Sequence, residues 1–277
     1  MRLYPITARR PPVPLNPNSD LPPIFVINRQ SDTSRRGDMT ERLAKVGLTP
    51  TFFPAVDGYK LDIPNLPDYD GGKRRRYFGK DLKAGEIGCL LSHRAIYQRM
   101  VDENIERAVV LEDDVFFADD FRAVLEDIQK TELPWDLIRF VGHGKVFDLG
   151  FRKLASLRHG YSITRVPTSP SGAYAYLLNK AAAQRLLQMM QRNWVPVDIT
   201  HSRAWETGLE TLLIHPSPAT PDLDGPSTIG DERFDNTKRI TGITRLLHPF
   251  CRFWYKLSNG VGKRVLYASS WFRDRKL

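Results

Sequence analysis

The chain has 277 residues, of which 41% are hydrophobic and 10% aromatic, with 41 Lys and Arg against 32 Asp and Glu and a formal net charge of +9. That supplies the apolar material for one large domain with a substantial core and excludes wholesale disorder. The charge is unevenly placed: from Arg233 onward eleven basic residues face only Asp235 and Asp274, and the first 232 residues carry thirty of each sign. A nucleic-acid-binding protein would show its basic face on the folded body, so the neutral body argues against nucleic acid as a partner. No apolar run approaches the roughly 18 to 20 residues that a membrane-spanning helix needs. Cys89 and Cys251 are the only cysteines. They are too few for a disulfide framework and lack zinc-type spacing, which fits a reducing compartment.

Residues 1–22 place Arg and Pro where a secretory signal would have an apolar core, so they read as a flexible leader and the protein is expected to stay where it is made. IFVIN (Ile24 to Asn28) is a strand covered on both faces. MTERLAKVGL reads as a helix and TFFPAVDG (Thr51 to Gly58) as a second strand, the start of a βαβ layer in an open α/β sheet. Tyr59 to Lys83, including KRRR at Lys73 to Arg76, shows no period and reads as a solvated loop. Gly85 to Ile105 is an amphipathic helix. AVVLEDDVFF (Ala108 to Phe117) is a buried strand that runs into three carboxylates, followed by a helix over Phe121 to Lys130. Strands are predicted at Trp135 to Gly142, Ser162 to Val166, Ala173 to Leu178 and within Leu209 to Pro218, with an Ala-rich helix from about Lys180. The folded body is expected over 23–222 and a basic, aromatic extension over 223–277.

The chemistry centres on Glu112, Asp113 and Asp114. Open α/β sheets bind ligands beyond the carboxyl ends of their strands, so carboxylates there face a crevice. Strand alternation puts Glu112 and Asp114 on one side and Asp113 on the other. Two co-facing carboxylates repel, and a hard divalent cation relieves that repulsion while bridging to phosphate oxygens. A metal-bound nucleotide diphosphate is the natural ligand; the plainer alternative is an acidic turn or helix cap.

The segment GEIGCLLSHRAIYQRMVDENIERAVVLEDDVFF resembles the core motif of glycosyltransferase family 25, the lipooligosaccharide galactosyltransferases and their relatives. The resemblance extends to IFVIN with its downstream Arg pair, to FFPAVDG, to SGAYAYLLNKAAAQRLL and to PVD (Pro196 to Asp198), covering about residues 23 to 220 in order. It implies a GT-A type fold with a mostly parallel, Rossmann-like sheet flanked by helices. It also implies a nucleotide-sugar donor, usually UDP-galactose, a divalent metal (Mn²⁺ or Mg²⁺) and inverting transfer to a saccharide acceptor.

Carried over to these positions, the resemblance makes Asp114 and Glu112 metal ligands, with His215 as a third by analogy with other GT-A enzymes. Asn28, Arg35, Arg36, Asp57, Ser92, His93 and Asp113 fall on the donor side; Glu86, Ser171, Gly172 and Tyr174 fall on the acceptor side. Inversion needs a base for the acceptor hydroxyl, and Asp198 is the first candidate, with Glu206 and Glu210 behind it. Several of these residues also have structural readings. Arg35 and Arg36 suit a first helical turn, Asp57 a DG turn, Glu86 a helix N-terminus, His93 a satisfied core site and Cys89 simple packing. Arg29 departs from the aliphatic residue common after Ile-Asn, which leaves the acceptor open.

The tail mixes Arg and Lys with Leu, Phe, Trp and Tyr, a composition suited to an anionic bilayer surface, while the alternative is a helix packed on the core. The expected protein is thus a peripheral enzyme on the cytoplasmic face of a bacterial inner membrane. It would extend a lipopolysaccharide or lipooligosaccharide acceptor. A non-catalytic sugar-binding homologue and a metal-dependent phosphohydrolase are the competing readings.

Overall fold

The computed structural model describes residues 20–142, 146–168, 170–222 and 240–275. Residues 1–19 of the expected leader and 223–239 of the expected extension lie outside the described residues. The chain forms β1 (Ile24–Asn28), α1 (Thr33–Lys45), β2 (Thr51–Pro54), α2 (Gly71–Phe78), α3 (Ala84–Asp102), β3 (Arg107–Glu112), β4 (Val115–Phe117) and α4 (Phe121–Lys130). Next come β5 (Leu137–Arg139), β6 (Arg152–Ser156), β7 (Ser162–Arg165), β8 (Ala175–Asn179), α5 (Lys180–Met189), α6 (Val197–Ser202), α7 (Ala204–Thr207), β9 (Thr211–His215) and β10 (Ala219–Pro221). The helices α8 (Gly242–Ser269) and α9 (Trp271–Asp274) close the order.

Eight strands make one sheet in the order β2-β1-β3-β8-β5-β9-β7-β6. β1 is parallel to β2 and β3, and β5 to β9, while β8 and β7 run against their neighbours. The carboxyl ends of β1, β3, β5 and β9 therefore share one edge, and the reversed β8 brings its own start, beside Gly172 and Tyr174, to that edge. β4 and β10 form a separate antiparallel pair.

Both faces of the sheet are covered. Ile24, Val26, Val109 and Leu111 pack with Met39, Leu43, Phe121 and Leu125 from α1 and α4. Phe25, Ile27, Ala108 and Val110 pack with Leu90, Ile96, Tyr97, Ala182 and Leu186 from α3 and α5. Each such buried Val, Leu, Ile, Met or Phe side chain contributes about 1.5–3 kcal/mol. Period-two alternation then dictates that Asn28 follows Ile24 and Val26 toward α1, while Glu112 follows Ala108 and Val110 toward α3.

The stretch expected as a loop, 59–83, instead contains single turns at Gly58–Lys60 and Ile63–Asn65 and the helix α2. Asp70 caps α2 by accepting from the Lys73 amide at 2.8 Å, and Gly79 ends it at φ 78. Its KRRR segment hides its order because the stabilisation is cationic and aromatic rather than aliphatic: Arg74 is 4% exposed, with its guanidinium 3.9 Å over the Phe78 ring. The partner is α8, whose Tyr255 packs against Phe78 at 4.9 Å and Trp194 at 5.9 Å between ring centroids. His248 Nδ1 lies 2.9 Å from the Arg76 carbonyl oxygen. Asp274 of α9 accepts from Arg165 at 2.9 and 3.0 Å and pairs with Arg152, tying the tail to β6 and β7.

The position of α3 depends on a close backbone approach at Gly88, where an added Cβ would lie 2.5 Å from the Val56 carbonyl oxygen and 2.8 Å from the Gly58 amide nitrogen. Gly88→Ala is expected to lower stability by about 1–3 kcal/mol through overpacking. Urea unfolding of parent and variant measures the loss; equal midpoints would contradict this packing.

Candidate active site

The acidic triplet does not continue as strand. β3 stops at Glu112, and Asp113 and Asp114 form the turn before β4. The alternation expected to pair Glu112 with Asp114 therefore gives way to three separate environments. Asp113 accepts from Asn28 Nδ2 at 2.8 Å and from Arg35 Nη1 at 2.9 Å, and Arg35 also lies 3.8 Å from Asp114. Arg36 stands behind this group, with Nε 3.3 Å from Asn28 Oδ1 and its guanidinium 4.6 Å over Phe52. Both Arg occupy the first turn of α1, whose amide at Arg35 is capped by Asp32.

Burial raises the Asp114 carboxyl, the nearby Glu112 and Asp113 charges raise it further, and Arg35 offsets only part, so it stands at about 7. Asp114 Oδ1 is buried with no hydrogen-bond partner. An oxygen donor with unmet charge beside two further carboxylates is chemistry that fits a hard divalent cation such as Mn²⁺ or Mg²⁺.

The opposite wall comes from α3. Cys89 and His93 lie one helical turn apart on the face that meets β3. Glu112 Oε1 is 3.5 Å from His93 Nε2 and 4.0 Å from Cys89 Sγ. Burial pushes the Cys89 thiol up, with Glu112, Asp198 and Asp114 adding to the effect. His93 Nδ1 meets the Tyr176 hydroxyl at 2.7 Å, which meets Tyr97 at 2.8 Å, which in turn meets His201 Nε2 at 2.8 Å. This buried chain was not read from the sequence, because its members come from three separated elements. Between the walls lies a pocket of about 70 Å³ bounded by Asn28, Val56, Gly85, Cys89, Glu112 and Asp114, among others.

Other expected donor and acceptor contacts are already engaged. The Ser92 hydroxyl donates to the Gly88 carbonyl at 2.7 Å and accepts from the Val56 amide at 2.8 Å, fastening the segment after β2. Asp57 caps a single turn by accepting from Tyr59 at 3.1 Å. Glu86 accepts from the Lys83 amide at 2.8 Å and closes the start of α3. Tyr174 is 4% exposed and its hydroxyl is bonded to the Gly142 backbone and Ser217, so it forms wall rather than a free stacking surface.

Asp198 sits in the first turn of α6 rather than in a loop. It accepts from the Gly172 amide at 3.2 Å and the Ile199 amide at 2.8 Å. Gly172 adopts φ 86, a conformation that glycine tolerates without a Cβ clash, while Ser171 is exposed at the tip. Arg139 holds this loop from below: it is 1% exposed and donates to the Pro170 and Gly172 carbonyls and to Ser202. Its signal in the sequence was a charge in the middle of the apolar run WDLIRFVG.

Three expected residues stand elsewhere. His215 ends β9, three strands from β3 and so roughly 14 Å away at about 4.8 Å per strand. Its ring lies between Phe147 and Phe151, with centroids at 4.2 and 4.6 Å, and does not join Glu112 and Asp114. Glu206 pairs with Arg203 where α7 meets α8, and Glu210 with Arg165 and Arg273. Ion pairing accounts for both carboxylates.

Comparison with known proteins adds the following. The sequence profile described as Glycosyltransferase family 25 (LPS biosynthesis protein) matches residues 21–201. The chain is 33% identical over 190 residues to "Probable inactive glycosyltransferase 25 family member 3" of Rattus norvegicus, covering 63% of this chain and 31% of that protein. It is 34% identical over 131 residues to "Procollagen galactosyltransferase 2" of Mus musculus, covering 44% and 21%. A third relative, "Glycosyltransferase 25 family member" of Aedes aegypti, is 38% identical over 125 residues, covering 42% and 20%. The chain spans less than a third of the length of these relatives.

The raised Asp114 carboxyl has a testable sign. The folded protein keeps a proton that the unfolded chain releases near pH 4, so this site's contribution to stability falls as pH rises from about 4 to about 7 and is gone above that. In chelator-containing buffer, the unfolding midpoint of the parent is expected to decline relative to Asp114→Asn between pH 5 and pH 8. A parent–variant difference that stays flat across that interval rejects the assignment.

Proposed function

The chain belongs to glycosyltransferase family 25, and we propose that it moves a sugar, galactose first among candidates, from a UDP donor to a saccharide acceptor with inversion, on a GT-A type fold. The observation that carries this reading is the convergence of Asn28, Arg35, Asp113 and Asp114 at the shared carboxyl edge of β1 and β3, beside a pocket. Such an edge is where open α/β sheets take nucleotide ligands. Asn28 and Arg35 hold Asp113 rigid, so the acidic turn is preorganised before any donor arrives. Asp114 with Glu112 would hold Mn²⁺ or Mg²⁺, which when bound supplies positive charge for the departing diphosphate.

Asp198, at the start of α6 beside the Gly172 loop, is the base in this reading. It takes the proton of the acceptor hydroxyl as that oxygen bonds to the anomeric carbon and the bond to the diphosphate breaks, UDP leaving with the electron pair. Two backbone amides and the Gly172 loop aim its carboxylate, and the buried Arg139 fixes the loop. The family's association with lipopolysaccharide biosynthesis supports a lipopolysaccharide acceptor, and the procollagen galactosyltransferase relative supports galactose. Some relatives are named inactive, which keeps a non-catalytic sugar-binding homologue as the second reading. Asp114→Asn is expected to cut metal-dependent UDP release with acceptor by about 10²–10³-fold while leaving the fold intact. Donor binding without UDP release in the parent would favour the binding homologue, and acceptor-independent phosphate release would favour a phosphohydrolase.

A second observation supports an anionic membrane as partner. Ile243, Leu246, Phe250, Trp254, Leu257, Val261 and Val265 recur every three or four residues along α8 and are all exposed, on the side away from Tyr255. α8 and α9 carry Arg245, Arg252, Lys256, Lys263, Arg264 and Arg273 against Asp274 alone. No helix among the described residues is long and apolar enough to cross a membrane. An interfacial helix at the cytoplasmic face of a bacterial inner membrane combines these features. The full chain is expected to sediment with phosphatidylglycerol vesicles at low salt, less so at high salt, and to lose binding when Phe250 and Trp254 are both replaced by Glu. Binding unmoved by that replacement would remove the membrane reading.

A further inference from the structure

Among the described residues, one group of three His, Cys or acidic side chains converges closely enough to hold a metal ion: Cys89, His93 and Glu112, whose ligand atoms all lie within 4.8 Å of one another. We propose that these three side chains form a binding site for a borderline-soft divalent cation of the Zn²⁺ class, which shares Glu112 with the carboxylate site at Asp114 and adds the thiol and imidazole of α3. Zinc bonds of about 2.0–2.3 Å in tetrahedral array place ligand atoms about 3.3–3.6 Å apart. The 3.5 Å between His93 Nε2 and Glu112 Oε1 already meets this, and the 4.0 Å from Glu112 to Cys89 Sγ closes with a small side-chain movement.

An independent observation points to a missing ligand. His93 is fully buried, yet its Nε2 has no hydrogen-bond partner. Buried polar nitrogens normally find one. The other ring nitrogen is held by Tyr176, itself backed by Tyr97 and His201. An imidazole oriented through one nitrogen with the other left open toward a thiol and a carboxylate is the outer-shell arrangement of a metal-ligating histidine. Cys89 and His93, four residues apart on α3, present both donors on one helix face. The sulfur, nitrogen and oxygen set favours Zn²⁺ or Co²⁺ over Mg²⁺. All three residues line the pocket, so a fourth position opens to water or a small oxygen ligand there.

Because the site needs neither donor nor turnover, its test is distinct from that of the transferase reading. The metal-stripped 277-residue chain is titrated with Co²⁺ alone, then with Zn²⁺ in competition. One equivalent of Co²⁺ is expected to give a thiolate-to-cobalt charge-transfer band and four-coordinate visible bands, displaced by Zn²⁺. Cys89→Ser and His93→Gln should each abolish the thiolate band or weaken Zn²⁺ binding on the order of 100-fold, whereas Asp114→Asn and Cys251→Ser keep both. Thermal unfolding in chelator checks that each variant is folded, and the parent spectrum needs no variant. Absence of a thiolate band in the parent overturns the proposal, as does a band that survives Cys89→Ser and is lost in Cys251→Ser.

Discussion

Asp113 is held between Asn28 and Arg35, and the rest of the site takes its arrangement from that bond. β1 and β3 lie side by side with Ile27 opposite Glu112, so the residue after each falls at the same edge. Both strands are sealed by helices on both faces, and a carboxylate cannot continue the alternation into either apolar layer without a large desolvation cost. The chain therefore turns at Asp113. One carboxylate is matched by Arg35 and Asn28, one is sent toward α3, and one is left with unmet charge. Three adjacent acids thus acquire three chemical characters from one strand end.

The same edge collects its remaining parts because the sheet is mixed. A strand parallel to β3 in the place of β8 would bring its end to the edge and carry its start to the far side. The reversed β8 instead delivers Gly172 and Tyr174 to the pocket side, and α6 then brings Asp198 against the Gly172 amide. Arg139, sunk in the sheet, satisfies the carbonyls of that loop from beneath. Burial lowers its guanidinium pKa to about 10, with Asp198 opposing the shift, so it remains a cation at neutral pH. An uncompensated charge at that depth would be strongly destabilising.

The C-terminal helix has two unlike sides. Tyr255 and His248 dock it on α2, and Asp274 ties the following turn to Arg152 and Arg165, so the helix is part of the fold. Its outer side keeps an apolar stripe in solvent over nearly its whole length. Core packing and an exposed apolar stripe, which the composition alone posed as alternatives, occupy different faces of one helix.

What the sequence determined by itself was local and periodic. The apolar runs of β1, β3 and β8, the helical spacing of α3 and α5, the α/β class and the acidic end of β3 all rest on contacts that a strand or helix makes with any apolar layer. Asn28, Arg35, Asp113 and Asp114 were legible for the same reason: each lies within a few residues of a strand end. Partners distant in the chain were decided only by the tertiary structure. α2 is helical where Phe78 and the Arg76 carbonyl meet Tyr255 and His248 of a helix some 170 residues later. His215 stands apart from Glu112 and Asp114 because two strands, β8 and β5, intervene. Cys89 changes from a packing residue to a neighbour of Glu112 because α3 crosses the end of β3. Periodicity tells which face of an element is covered, and only the closed sheet order tells by what.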